Sequence, residues 1–198
     1  MPEITLDENH IYRVNGDIKP GVNEILKACG QVDFSMVPKD RLDKACELGT
    51  AVHTATALYD QGDLYEEDLH PALRGYLAAW VRFRVECEFE PELIEHRFYC
   101  EPYQYCGTLD RIGPITIPGW PVGMRVLLDL KTGNLTRSVK LQLPAYDLGI
   151  DGDSLPMIAV KLNDDGTYKI DGPMGDVQSN REAWLHCVIL HRWMERNK

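Results

Sequence analysis

Four short patterns in this chain bring together residue types suited to phosphate and metal chemistry. In order they are Gly49-Thr-Ala-Val-His53, Gly107-Thr-Leu-Asp110, Asp129-Leu-Lys131-Thr-Gly133 and Gln142-Leu-Pro-Ala-Tyr146. Side chains alternate across a β-strand, so Asp129 and Lys131 point to the same side and place a carboxylate and an ammonium in one site. Asp110, on a neighbouring strand, supplies a second carboxylate. Two oxygen ligands with open positions suit Mg²⁺ or Mn²⁺, which keep waters and bind phosphate oxygens. His53 adds a nitrogen ligand and shifts the preference toward Mn²⁺. Such an ion activates water and neutralises charge developing on a phosphate. Lys131 is then placed to orient that water or to stabilise the transition state.

These residues need elements to hold them. Apolar positions Leu42, Ala45, Leu48, Val52, Ala55 and Leu58 recur at helical spacing, predicting a helix over 41–59 that carries His53 and closes at Asp60-Gln61-Gly62-Asp63. A second helix is predicted over 71–88, with Leu73, Leu77, Trp80, Val81 and Phe83 on its apolar positions. Then the period changes. Strands are expected over 93–100 and 106–112, and a strand buried on both faces over 125–130. A helix over 138–148 puts Gln142 and Tyr146 on one face, although Pro144 disturbs its backbone. Another buried strand is expected over 155–162, with a turn at Asp164-Asp165-Gly166. The last helix is expected to begin at Ser179, with Glu182 completing a capping box ahead of Ala183, Trp184, Cys187, Val188 and Leu190. Nearer the N-terminus, residues 11–14 read as a strand followed by an Asn15-Gly16 turn, and 22–29 as a short helix ended by Gly30. This order implies one α/β domain over 1–198, a central mixed sheet flanked by helices. Residues 1–40 form an N-terminal extension, 41–150 the core with all four patterns, and 151–198 a closing strand and helix.

Each pattern alone is weak, and the chain contains decoys. Asp17-Ile-Lys19 also fits D-x-K, Gly30-Gln-Val-Asp33 fits G-x-x-D, and Gln61-Gly-Asp-Leu-Tyr65 fits Q-x-x-x-Y. Order and placement separate the candidates from them. Asp129 ends a buried apolar strand, whereas Asp17 sits beside an Asn-Gly turn.

Composition bounds the reading. The 198 residues are 44% hydrophobic and 26% charged, as in an ordinary soluble domain. No apolar run is long enough to span a membrane, and the acidic, polar N-terminus lacks the apolar core of a signal peptide, so a cytoplasmic location is expected. The six cysteines are scattered without a C-x-x-C pair, which favours reduced thiols over disulfides or structural zinc. The formal net charge of -10 runs against a phosphate-gripping protein. A basic groove beside the site with an acidic outer face reconciles the two, as do clustered carboxylates whose metal ions face the phosphate.

Taken together, His53, the Gly107-to-Asp110 strand, the Asp129-Leu-Lys131 strand end and the Gln142-to-Tyr146 helix resemble the motifs of RecB-type nucleases in the PD-(D/E)XK superfamily. The resemblance covers about the middle half of the chain and implies a restriction-endonuclease-like fold. It implies a metal-dependent deoxyribonuclease, more an exonuclease than an endonuclease, acting in recombination, repair or phage replication and leaving 5′-phosphate ends. By resemblance His53, Asp110, Asp129 and the backbone carbonyl of Leu130 are metal ligands, and Lys131 is the catalytic lysine. Gln142 and Tyr146 position the DNA strand, and Glu95 is a further active-site carboxylate. Tyr12-Arg-Val-Asn-Gly, Pro20 and Val22-Asn-Glu-Ile-Leu resemble the start of small phage-borne members. Some relatives carry an iron–sulfur cluster on three cysteines near the C-terminus. Here only Cys187 lies there, so no cluster is expected. DNA is the implied partner, with a helicase or single-strand annealing protein beside it and oligomerisation open.

Arg137 and Lys140 precede Gln142 and are placed to contact phosphates. Arg82 and Arg84 read as solvated, salt-bridged surface, while Arg97 and Arg111 have no evident place. Trp184, Trp193 and Met194 read as core or partner surface. Two other functions fit the same residues: a non-catalytic DNA-binding or assembly subunit that keeps the fold, and a metallohydrolase of small phosphate esters.

Overall fold

The computed structural model describes residues 2–150 and 154–197. Three short strands come first: β1 (Ile4–Leu6), β2 (Tyr12–Val14) and β3 (Asp17–Lys19). They form an antiparallel meander of their own. The β2–β3 hairpin turns at Asn15 and Gly16, both at positive φ, the conformation that Asn-Gly turns supply. The Asp17-Ile-Lys19 decoy is thus strand β3, set apart from the main sheet. Helix α1 (Val22–Ala28) follows and buries Val22, Ile25 and Leu26.

Helix α2 (Lys39–Gln61) carries His53. Its burial begins late. Leu42 is only half-buried and Ala45 is exposed, although their spacing fits the apolar face; the buried stretch is Val52 and Ala55 to Ala57. The helix predicted over 71–88 divides into a 3-10 turn over 71–73 and α3 (Arg74–Glu86).

The main sheet has the order β4-β5-β6-β7-β8, from β4 (Leu93–Cys100), β5 (Tyr105–Ile115), β6 (Met124–Lys131), β7 (Met157–Leu162) and β8 (Tyr168–Asp171). Only β6 and β7 are parallel; the other pairs are antiparallel. A parallel neighbour requires a crossover, and α4 (Val139–Gly149) provides it. This helix runs through Pro144 without ending, and residues 141–147 are all buried. The sheet separates two apolar cores. Leu127 of β6 packs with α1, α4 and the last helix, α5 (Val177–Arg196), around Trp184. Val126, Leu128 and Leu130 pack with α2 and α3 around Trp80 and Phe83. That double burial is why β6 reads as a continuous apolar run.

Two expectations change. Helix α5 begins at Val177, with Asp176 as its N-cap, so Ser179 lies inside the helix and forms no capping box with Glu182. Glu182 instead accepts a 2.9 Å bond from Gln178, one turn earlier. Its buried stripe is Trp184, Cys187, Val188 and His191, while Ala183 and Leu190 are exposed. Strands β1, β3 and β8 have no counterpart in the sequence reading; they are edge strands of three, three and four residues. Among the described residues, no helix is long and apolar enough to cross a membrane.

Candidate active site

The site forms where the pairing of β5 opens. The β5–β6 ladder ends at Arg111↔Leu128. The β4–β5 ladder runs through Ile94↔Arg111 and resumes at His96↔Leu109, with no pairing between Glu95 and Asp110. Asp110 therefore sits where neither neighbour closes on it. Its Oδ2 accepts a 2.6 Å hydrogen bond from the backbone N–H of Leu130, a side chain standing in for the missing ladder bond. Further along β5, the edge that β6 has left is taken by the chain before α1: the Cys106 N–H donates to the Pro20 carbonyl at 2.9 Å. This brings Tyr12 and Asn23 to the same opening, with the Tyr12 hydroxyl 2.9 Å from Thr108 Oγ1.

Glu95 reaches the site by a local departure from strand geometry. Its φ is +46°, in the left-handed region that non-glycine residues seldom adopt. Such a conformation costs about 1–3 kcal/mol and persists where surrounding contacts impose it. Across Glu95 the strand changes phase: Leu93 packs on the same core as Phe98 and Cys100. Nothing in the local sequence signals this.

His53 Nδ1 lies 3.4 Å from Glu95 Oε1 and 3.5 Å from Asp110 Oδ1. One ligand atom each from His53, Glu95 and Asp110 falls within 4.8 Å of the others. Burial alone would lower the His53 pKa, but the Asp110 carboxylate and the bond to Glu95 outweigh it and raise it to about 9.

Asp129 and Lys131 share one side of β6, as alternation requires. The Lys131 ammonium is 2.8 Å from Asp129 Oδ1 and 2.7 Å from Oδ2. Only the first contact is aligned as a hydrogen bond, so the buried Oδ2 has no donor aimed at it. Burial raises the Asp129 pKa, with Lys131 opposing and Asp110 reinforcing the shift. For Lys131, burial is outweighed by Asp129 and Asp110, and its pKa rises, keeping the ammonium charged.

On α4, Gln142 Nε2 donates to the Tyr146 hydroxyl at 2.6 Å, one helical turn away. Burial and the nearby Asp129 and Asp110 carboxylates hold the Tyr146 phenol well above its ordinary pKa. Gly107 makes room for this tyrosine. A Cβ there would lie 2.5 Å from Phe98 Cζ and 3.2 Å from Tyr146 Cε1.

The result is one pocket of about 540 Å³ containing His53, Glu95, Asp110, Lys131, Gln142 and Tyr146. All four patterns meet here, and Glu95 joins them. The groupings differ from the sequence reading. Glu95 clusters with His53 and Asp110, while Asp129 stands behind them, paired with Lys131. Leu130 is present through its N–H on Asp110. Arg137 and Lys140 are exposed at the start of α4 and stand outside the pocket. Lys131 is the single Lys or Arg among the described residues lining it.

Sequence reasoning left a buried layer unread. Arg111 is fully buried. It donates to Asp60 Oδ2 at 2.7 Å, Glu95 Oε1 at 3.0 Å, the Asp110 carbonyl at 2.7 Å and Thr56 Oγ1 at 3.2 Å. Asp60 also accepts from Trp80 Nε1 and Arg84 Nη1, each at 2.9 Å. Arg82 pairs with Glu86 on the surface, as expected, whereas Arg84, expected on the same solvated surface, is half-buried against Asp60.

The donor set suits a hard divalent cation. His53 offers nitrogen, and Asp110 keeps Oδ1 free of the Leu130 bond. Asp129 Oδ2, 2.7 Å from the Lys131 ammonium but accepting no aligned hydrogen bond, adds a buried carboxylate oxygen. Comparison with protein-family models finds no match, and comparison with curated proteins finds none either.

Proposed function

We propose that this chain is a Mg²⁺- or Mn²⁺-dependent deoxyribonuclease with a restriction-endonuclease-like fold of the PD-(D/E)XK kind. The RecB-type resemblance favours exonucleolytic action in recombination, repair or phage replication. The observation that carries this reading is the convergence of His53, Glu95, Asp110, Asp129 and Lys131, from four elements, at the carboxyl end of β6. In α/β sheets, that end is where ligands bind.

His53, Asp110 and Glu95 would hold the ion, with Asp129 Oδ2 and the Leu130 carbonyl beside them. When bound, the ion supplies Lewis-acid neutralisation of the phosphate and a more acidic water. The protein's own groups do the rest. Asp129 keeps Lys131 protonated, so a fixed positive charge faces the phosphoryl oxygens as negative charge builds there. The Gln142–Tyr146 pair lines the same pocket and would orient the strand. Water adds its oxygen to phosphorus and the bond to the 3′-oxygen breaks. That oxygen leaves and takes up a proton as the 3′-hydroxyl of the upstream piece. The phosphate, having lost the other water proton to solvent, stays on the 5′-oxygen of the downstream piece.

A second reading, a hydrolase of small phosphate esters, draws support from the pocket itself. Its volume suits a mononucleotide, and a lining with one cation is spare for a polyanion. Hydrolysis assays with end-labelled DNA and with mononucleotides, each with Mg²⁺ or Mn²⁺, separate the two. Release of labelled fragments from DNA supports the nuclease, and turnover of mononucleotides alone would replace it.

A further inference from the structure

We propose that Arg111 is a positioning residue that sets the geometry of the candidate metal site by holding Glu95 in its left-handed backbone conformation. The inference rests on the metal-site reading above for its consequence, though not for the positioning itself.

Glu95 needs an external hold. Its φ of +46° is unfavourable for a residue with a Cβ, and it lacks a ladder partner at Asp110. Glu95 Oε1 has two partners, His53 Nδ1 at 3.4 Å and Arg111 Nη1 at 3.0 Å, and the fully buried guanidinium is the shorter contact and the one anchored on several sides. Arg111 Nη1 also donates to the Asp110 carbonyl, so one atom ties together the two residues whose pairing is missing. The remaining donors anchor the guanidinium to α2, through Nε on Asp60 and Nη2 on Thr56. Trp80 closes the assembly, its ring centroid 5.6 Å from the guanidinium carbon while its Nε1 holds Asp60.

The chemistry calls for arginine. A planar fork reaches acceptors in several fixed directions, whereas a lysine ammonium offers three donors at one point and cannot span Asp60, Thr56, Glu95 and a carbonyl at once. The links also run to the helix that carries His53. Thr56 and Asp60 lie one and two turns beyond His53 on α2, so that helix is the brace from which Arg111 holds Glu95. Groups that orient metal ligands from behind commonly change metal affinity about 10- to 100-fold when removed.

The test uses Arg111→Lys and, should that buried change prevent folding, Thr56→Val, which removes one anchor of the guanidinium. Circular dichroism and thermal melts establish that each variant is folded. In metal-free protein, NMR backbone shifts and the HN–Hα coupling at Glu95 report its φ. Wild type is expected to show the left-handed signature, and the variants to move toward extended values. Calorimetric titration with Mn²⁺ is expected to show binding about 10- to 100-fold weaker in Arg111→Lys. In a Glu95→Ala background, which removes the acceptor of Arg111 Nη1, the same change is expected to cost less than about threefold, because the two residues act as a unit. A left-handed signature retained in the folded variants, or a full additional penalty in the Glu95→Ala background, would overturn the proposal. If wild type binds no Mn²⁺, the metal-site reading fails alone, and the Glu95 signature still decides the role of Arg111.

Discussion

Asp110 and Leu130 are joined by a 2.6 Å hydrogen bond from the Leu130 N–H to Asp110 Oδ2, at the point where β5 and β6 cease to pair. The strand carrying Asp129 and Lys131 thus fixes the carboxylate that its neighbour presents. An open ladder, which would elsewhere leave backbone groups unsatisfied, here becomes the frame of the candidate site.

The charge pattern predicts a pH dependence in chelator-treated protein. The His53 pKa is raised to about 9, against an ordinary value of 6.5. A raised cationic group contributes stability that is full below pH 6.5 and is lost as pH rises through about 9. Urea unfolding of wild type and His53→Gln should therefore differ most near pH 6 and converge toward pH 9.5. A constant difference across that range would show that His53 carries no ion pairing with Glu95 and Asp110.

Packing around Gly107 predicts a local, severe effect from a small change. In Gly107→Ala the new methyl meets Phe98 and presses toward Tyr146. Phe98 is itself hemmed in by Tyr105 and Tyr146. Overpacking of this kind costs about 1–3 kcal/mol. Denaturant melts should register that loss. A variant as stable as wild type would mean that Phe98 can move aside.

The Gln142–Tyr146 pair should matter for substrate more than for the chemical step. Tyr146→Phe leaves the buried Gln142 amide without its acceptor, at a stability cost of about 1–3 kcal/mol. If the pair positions the strand, KM for DNA should rise several-fold while kcat changes little. A loss confined to kcat would instead place Tyr146 among the groups acting on the reacting phosphate.

Part of this was legible in the sequence. Alternation on a strand placed Asp129 beside Lys131, and one helical turn placed Gln142 beside Tyr146; both follow from local geometry and both pairs are in contact. The meeting of His53 with Asp110 came from the ordered set of patterns, since no local rule brings a helix residue to a strand. Arg111 and Asp60 stayed unread because their meaning is tertiary. A buried arginine looks like any surface arginine until the helix and strand around it are packed. Glu95 carried no sign of its left-handed turn, which its neighbours impose. Ser179 misled because S-x-x-E recurs within helices as readily as at their starts, and here Asp176 comes first. The short edge strands β1, β3 and β8 offered too few residues for a period to emerge.

The function proposed for this site turns on whether these residues hydrolyse DNA with a divalent ion. The most direct measurement is cleavage of end-labelled single- and double-stranded DNA by purified protein with Mg²⁺, Mn²⁺ or EDTA, beside Asp110→Asn and Lys131→Ala. Cleavage is expected with metal and none with EDTA, with a fall of about 100-fold or more in each folded variant. Folded wild type that leaves DNA intact with either metal, or cleavage that survives both substitutions, would contradict it.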